Sequence, residues 1–216
     1  MTPYQPKGSR PPTARAAVFD LGNVLIDIDF MRCMRHWSRC TRVPAEQIAA
    51  RYRVDRHYEA FERGRLSPEA YFDVLRRQLG IDLDDADFMA GWNRIIMDEI
   101  PGVRSCILRL KPHLPLYVLT NTNAVHAAEW RSRHAGLLQH FEHVFVSSEM
   151  GCRKPDAAVY QAVIAAIGIP ADQIVFMDDD PANVQGAAAV GLRASLIKKP
   201  DDIIRLTAGL IAGTPR

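Results

Sequence analysis

The sequence predicts an α/β protein: a doubly wound, mostly parallel, Rossmann-like sheet with a helical cap inserted after the first strand. Three observations predict it. The short apolar runs Ala16-Ala17-Val18-Phe19, Leu116-Tyr117-Val118-Leu119 and Ile174-Val175-Phe176-Met177 each end in a polar or acidic residue. Buried parallel strands read this way, with their carboxyl ends toward a ligand. From about Val103 onward such runs alternate with stretches of helical spacing, the pattern of a parallel sheet covered on both faces. Residues 30–100, by contrast, carry helical patterning alone.

Taken in order, residues 1–15 hold four Pro and several polar residues without an apolar signal-peptide core, and predict a flexible tail. The core is expected over 16–29 and 101–216, with the cap over 30–100. The first strand, 16–19, runs into Asp20-Leu21-Gly22. In the cap, Ser67-Pro68-Glu69 is a helix start, a capping hydroxyl followed by Pro where no free N–H is needed. Tyr71, Phe72, Leu75 and Leu79 give that helix its apolar face, and Gly80 ends it. Residues 82–97 read as another helix or a pair, so the whole cap is expected to be helical. In the core, the strand at 116–119 precedes a helix over 124–133, and a strand at 143–146 precedes the Lys154 loop. Val159, Tyr160, Val163 and Ile167 give the spacing of a helix over 155–167 that Gly168 stops. The strand at 174–177 leads to a helix over 183–190, then Gly191, and a last strand fits 194–197. No internal repeat interrupts this order.

The composition bounds the function. The chain has 216 residues, 48% hydrophobic and 24% charged, enough for one core domain and a modest insertion. A net charge of +2 offers no field for nucleic acid. No apolar run approaches the roughly 20 residues that span a bilayer, so no membrane partner is expected. Cys33, Cys40, Cys106 and Cys152 form no CxxC pair. They read as reduced thiols of a cytoplasmic protein. Cys33 and Cys40 are spaced to share a helix face but make no metal site. Cys152 reads as an incidental loop thiol, although nearby Lys154 is placed to lower its pKa. Residues 31–79 carry eleven Arg and no Lys against six acidic residues. Most of these arginines are expected on solvated helix faces, with a minority drawing in an anion. Oligomeric state is left open.

Four polar positions stand at strand ends or beside them: Asp20, Thr120-Asn121, Lys154 and Asp178-Asp179-Asp180. Each alone has a commoner reading, as a turn residue, a helix cap or an exposed loop lysine. Their joint order carries more: an acid, a hydroxyl, a lysine and an acidic cluster resemble the four motifs of the haloacid dehalogenase-like hydrolase superfamily. The resemblance covers nearly the whole chain after Arg15. The stretch from Phe19 to Phe30, the cap stretch Phe61-Glu62-Arg63-Gly64-Arg65-Leu66-Ser67, and Asp178-Asp179-Asp180-Pro181-Ala182-Asn183 are similar to its bacterial sugar-phosphate phosphatases, α-D-glucose-1-phosphate phosphatases among them.

The resemblance implies phosphoryl transfer to water from a small phosphorylated substrate. Asp20 is then the nucleophile, forming an aspartyl-phosphate. Mg²⁺ offsets the repulsion between carboxylate and phosphate, with Asp20, the Gly22 carbonyl and Asp179 as ligands. Lys154 adds a positive point charge, and Thr120 and the Asn121 amide donate hydrogen bonds. One position departs from the usual pattern. Most phosphatases of the superfamily carry a second Asp two residues after the nucleophile, to protonate the leaving group and then activate water. Gly22 stands there and has no side chain to do either, as in the sugar-phosphate phosphatases that it resembles. Asp27, Asp29, His36 and His57 are the candidates to replace it. A sugar leaving from its anomeric oxygen needs less help than an ordinary alcohol. The alternatives are a 2-haloacid dehalogenase, for which Gly22 is no obstacle but the acidic cluster is unexplained, a catalytically impaired ligand-binding member, and a partner-binding module. Trp37, Tyr58 and Trp92 read as core packing before pocket walls.

Overall fold

Four apolar residues in a row leave no face for water, and Ala16–Phe19 (β1) is buried on both sides. The computed structural model describes residues 13–213, so the expected tail lies outside them except for its last three residues. After β1 come a short strand Ile26–Ile28 (β2) and five helices: Phe30–Thr41 (α1), Ala45–Arg51 (α2), Arg56–Glu62 (α3), Pro68–Leu79 (α4) and Asp85–Asn93 (α5). A strand Ile96–Glu99 (β3) then pairs antiparallel with β2. The remainder alternates: Val103–Leu110 (α6), Leu116–Thr120 (β4), Ala124–Arg133 (α7), Ala135–Leu138 (α8), His143–Val146 (β5), Ser147–Met150 (α9), Ala157–Ile167 (α10), Ile174–Asp178 (β6), Pro181–Ala189 (α11), Arg193–Leu196 (β7) and Pro200–Gly213 (α12).

The main sheet has the order β5-β4-β1-β6-β7, parallel throughout. From β1 the chain builds outward through β4 and β5, then returns to the other side of β1 with β6. The order therefore reverses at β1, and an α/β sheet opens a ligand crevice at the carboxyl ends beside such a point. Asp20, Thr120 and Asp178 all stand at that edge.

Local signals set the helix ends. Ser67 Oγ accepts from Ala70 N, Pro68 opens α4, and Gly80 closes it at φ 63°. Asn123 Oδ1 accepts from the N–H groups of Val125 and His126 at the start of α7. Asp180 caps α11 by accepting from Ala182 N, with Pro181 next.

The cap departs from expectation at both ends. It is not entirely helical: residues 96–99 are strand, and β2, with only three residues, is a second strand that the sequence does not announce. Together they form a two-stranded neck between core and cap. Inside the cap, Trp37, Phe61, Tyr71, Phe72, Phe88 and Trp92 pack as one aromatic core. Trp37 and Trp92 are fully buried there, so packing is their role. Several of the cap arginines are engaged within the protein. Arg63 pairs with Glu59 and Asp156, Arg76 with Asp73 and Asp85, and Arg51 donates to the Leu79 carbonyl. Cys33 is buried and Cys40 exposed, so the two do not share an environment.

Cap and core meet where the ring of His126, on α7, stacks on Trp92 of α5 at 4.7 Å. His126 Nε2 lies 3.0 Å from the Trp92 carbonyl and must donate to it, so Nδ1 accepts from Asn123 Nδ2. A proton added at Nδ1 would face an amide donor. Burial holds the His126 pKa down at about 4, against the pull of the Trp92 carbonyl. A histidine near 4 when folded and near 6.5 when unfolded binds fewer protons in the native state across that window. Its contribution to stability is therefore complete above about 6.5 and is lost as the pH falls toward 4, by up to about 3 kcal/mol. Denaturation midpoints of wild type and His126→Phe between pH 7.5 and 4.5 check this. The wild-type curve is expected to fall more steeply; parallel curves would place the pH dependence elsewhere.

Candidate active site

A buried ammonium needs three acceptors, and the sheet edge supplies them to Lys154. Its Nζ donates to Asp178 Oδ2 at 2.7 Å and to the Leu119 carbonyl at 2.9 Å, and it pairs with Asp20 Oδ1 at 2.7 Å. Lys154 is only 1% exposed. Its loop is held by a reciprocal pair: Asn121 Nδ2 donates to the Lys154 carbonyl and Lys154 N donates to Asn121 Oδ1, both at 2.9 Å. The Asn121 side chain is thus committed to the protein, and any substrate contact falls to its main chain. This narrows the role expected for Asn121.

The acidic run divides its work. Asp178 is fully buried and is the acid bound to Lys154; Asn183 Nδ2 and the Asp180 N–H also donate to it. Asp179 turns toward Asp20 and accepts from Asn23 Nδ2 at 3.1 Å. Asp180 is spent on capping α11. The carboxylates of Asp20, Asp178 and Asp179 bring ligand atoms within 4.8 Å of one another. The sequence points to Asp179 but does not mark Asp178, Asn183 or Asn23 as partners in the site. The triple Asp was the available signal, but only the register of β6 says which of the three faces inward.

The electrostatics follow from this crowding. Burial pushes Asp20 up to about 7 against the opposing pull of Lys154, and the neighbouring Asp178 and Asp179 add to the rise. Burial also raises Asp179, with the Asn23 hydrogen bond opposing. For Lys154, burial acts to lower the pKa, but Asp20 and Asp178 overcome it and hold the ammonium above its ordinary value. Three clustered carboxylates against one ammonium leave a net negative site of hard oxygen donors. That donor set fits a small divalent cation, with the Gly22 carbonyl on the same cavity wall.

The cluster opens into a cavity of about 180 Å³. Asp20, Thr120, Asn121, Lys154 and Asp179 line its core side, and Ile26, Ile28, Phe30, Ile95 and Ile96 form a wall from the neck and cap. Tyr58, Glu62 and His126 also line it, and no arginine does. None of the four groups expected to replace the acid at position 22 lines the cavity. Asp27 is exposed, Asp29 caps α1, His57 pairs with Asp55, and His36 accepts from Arg94 beside Cys40 and Asp87. A Cβ at Gly22 would lie 3.1 Å from Ile28 Cγ1, so a side chain there would require Ile28 to give by a few tenths of an ångström. Cys152 is a partly buried loop thiol, and burial raises its pKa, with Asp156 adding and Arg63 opposing. The expected lowering by Lys154 does not occur, because that ammonium points to Asp20 and Asp178.

Comparison with known proteins agrees with this geometry. The chain is 29% identical to the sesquiterpene phosphatase astK of Aspergillus oryzae, over 83% of this chain and 88% of that one. It is 22% identical to the D-ribitol-5-phosphate phosphatase of Bacteroides thetaiotaomicron, over 81% of this chain and 87% of that one. A HAD-family enzyme, bt-2542 of Bacteroides thetaiotaomicron, solved in complex with magnesium and inorganic phosphate, superposes with a TM-score of 0.74. The two are 25% identical, over 86% of this chain and 94% of that one. The model of the haloacid dehalogenase-like hydrolases matches residues 14–191. With its five parallel strands, its strand-end carboxylates and this match over most of its length, the chain belongs to the haloacid dehalogenase-like hydrolase family, and it is a hydrolase with phosphatase relatives.

Proposed function

We propose that the protein is a Mg²⁺-dependent phosphatase of small phosphomonoesters, acting through an aspartyl-phosphate on Asp20. The observation that carries this reading is the convergence of Asp20, Asp178 and Asp179 around the buried Lys154. Asp20 is the one carboxylate of the three that combines a place in the cavity wall with the end of the central strand. Asp178 is committed to Lys154 and Asn183. Asp20, Asp179 and the Gly22 carbonyl would hold the cation, which when bound neutralises charge between nucleophile and phosphate. Lys154 keeps a fixed positive charge at the attacking carboxylate. Thr120, buried at the end of β4, presents a hydroxyl for a phosphoryl oxygen. The carboxylate cluster weighs against halide displacement, which needs no cation. The free thiols fit the reducing cytoplasm.

The cavity suits a compact alcohol, being smaller than the ~300–1,000 Å³ of ordinary ligand clefts. A sugar phosphate, glucose 1-phosphate among them, is the reading that the motif segments favour, and the ribitol phosphatase relative supports it. The isoleucine wall favours a second reading, an ester with an apolar face, as the sesquiterpene phosphatase relative suggests. Phosphate release from a panel of sugar phosphates and short prenyl phosphates separates them.

Three outcomes test the chemistry. Phosphate release is expected to stop in EDTA and return with Mg²⁺, and to be absent in Asp20→Asn. That variant is expected to keep its circular dichroism and, in EDTA, a thermal midpoint no lower than wild type, because Asn keeps the hydrogen bonds while removing one of three crowded charges. Turnover in EDTA or in the variant would refute the metal or the nucleophile respectively. Lys154→Ala is expected to lower turnover about a hundredfold, the worth of one preorganised charge contact of about 3 kcal/mol. It also leaves Asp178 buried without its cation, so its midpoint in EDTA is expected to fall. Mg²⁺ is then expected to raise that midpoint more than it raises the wild type's. A loss of turnover below threefold would contradict the role.

A further inference from the structure

The cavity is lined by few groups able to carry a proton. Asp20 is the nucleophile, Asp179 faces it across the cation site, and Lys154 is committed to three acceptors. Both nitrogens of His126 are engaged, one with Trp92 and one with Asn123. Tyr58 and Glu62 remain. Glu62 ends α3, one turn after Tyr58, and is only 3% exposed although it lies in the cavity wall. Its Oε2 lies 2.8 Å from Arg153 Nε, close enough for an ion pair but not aligned as a hydrogen bond. It enters from the cap, on the side of the cavity that the core strands do not supply.

Resting on the phosphatase reading above, we propose that Glu62 is the general acid and base of this enzyme, taking the part for which Gly22 has no side chain. In the first half-reaction an Asp20 oxygen bonds to phosphorus, the phosphorus–ester oxygen bond breaks, and the departing oxygen takes the Glu62 carboxyl proton. The products are the alcohol, aspartyl-phosphate and a Glu62 carboxylate. In the second, that carboxylate takes a proton from water as the water oxygen bonds to phosphorus. The bond to Asp20 breaks, inorganic phosphate leaves, and Glu62 is protonated again. Water attacks from the side that the alcohol vacated, so one group serves both steps.

The surroundings suit both forms of Glu62. Burial raises its pKa, while Arg153, Tyr58 and Lys154 favour the carboxylate. The phenols of Tyr52 and Tyr71 also lie near it. Arg153 directly precedes Lys154, which sets a purely positioning role for Glu62 as the rival explanation.

Glu62→Gln separates the two, since Gln keeps the size and most hydrogen bonding but carries no proton to give. For an alkyl or sugar phosphate, kcat/KM is expected to fall about a hundredfold, the lower range of general acid catalysis. For p-nitrophenyl phosphate, whose leaving group needs no proton, it is expected to stay within about threefold. With that ester, p-nitrophenol is expected in a burst matching the enzyme present, because hydrolysis of aspartyl-phosphate has lost its base. The alkaline fall of kcat/KM for the alkyl ester, seen in wild type as Glu62 loses its proton, is expected to vanish. An equal loss on both esters without a burst, or no loss on either, overturns the role of Glu62 while leaving the phosphatase reading intact. Should Glu62→Gln fail to fold, Glu62→Asp draws the carboxyl back but keeps a charge near Arg153. It is expected to lose at least about tenfold more on alkyl than on aryl esters, and parity overturns the proposal. A wild type that releases no phosphate from either ester with Mg²⁺, or an Asp20→Asn that does, refutes the phosphatase reading itself and the role of Glu62 with it.

Discussion

The ammonium of Lys154, buried among Asp20, Asp178 and the Leu119 carbonyl, is the interaction on which the rest of the site depends. Removing an ion from water costs several kcal/mol, and an isolated lysine here would shed its proton. It stays charged because all three donors find acceptors, two of them carboxylates. Those acceptors come from the ends of β1, β4 and β6, while the lysine comes from the loop after β5. One cation therefore joins four segments of chain at the sheet's switch point. The reciprocal amide pair of Asn121 with the Lys154 main chain fixes the loop that carries it.

That arrangement leaves the site out of balance in a useful way. Asp178 is saturated by Lys154, Asn183 and the Asp180 N–H, and is structural ballast for the lysine. Asp20 and Asp179 are then two further carboxylates facing one cavity. Burial raises both pKa values, and the neighbouring Asp178 adds to each rise. A divalent cation held between them would favour their charged forms.

The cap supplies what a strand-end site lacks. Its helices pack around an aromatic core, and the β2–β3 neck and the His126–Trp92 stack seat it on the core domain. Gly64, with φ 66°, lies so close to the core that a Cβ there would sit 2.2 Å from the Ser148 carbonyl oxygen. Such an approach holds the end of α3 beside the Lys154 loop, and with it Glu62 against Arg153. The same neck sets Ile28 close beside Gly22. Packing of neck and cap on the core thus sets Ile28 beside Gly22 and Glu62 in the cavity wall.

Much of this is legible in the sequence alone. β1, β4 and β6 are buried parallel strands whose apolar runs need no partner to be recognised, and the helix ends at Ser67, Gly80 and Gly168 follow from local chemistry. Asp20, Thr120, Lys154 and Asp179 stand out because strand ends confer position on them. β2 and β3 did not, since three or four residues of mixed polarity become strands only when they find each other across some seventy intervening residues. Likewise the sequence offers Asp178, Asp179 and Asp180 as equals, and the register of β6 makes one a partner for lysine, one a cavity carboxylate and one a helix cap. Glu62 is one of six acids among eleven arginines in residues 31–79, with nothing local to mark it. Local propensity and patterning determined the elements and the polar groups at their ends. Burial, which depends on which segments meet in three dimensions, decided which of those groups face the cavity and which only hold the others in place.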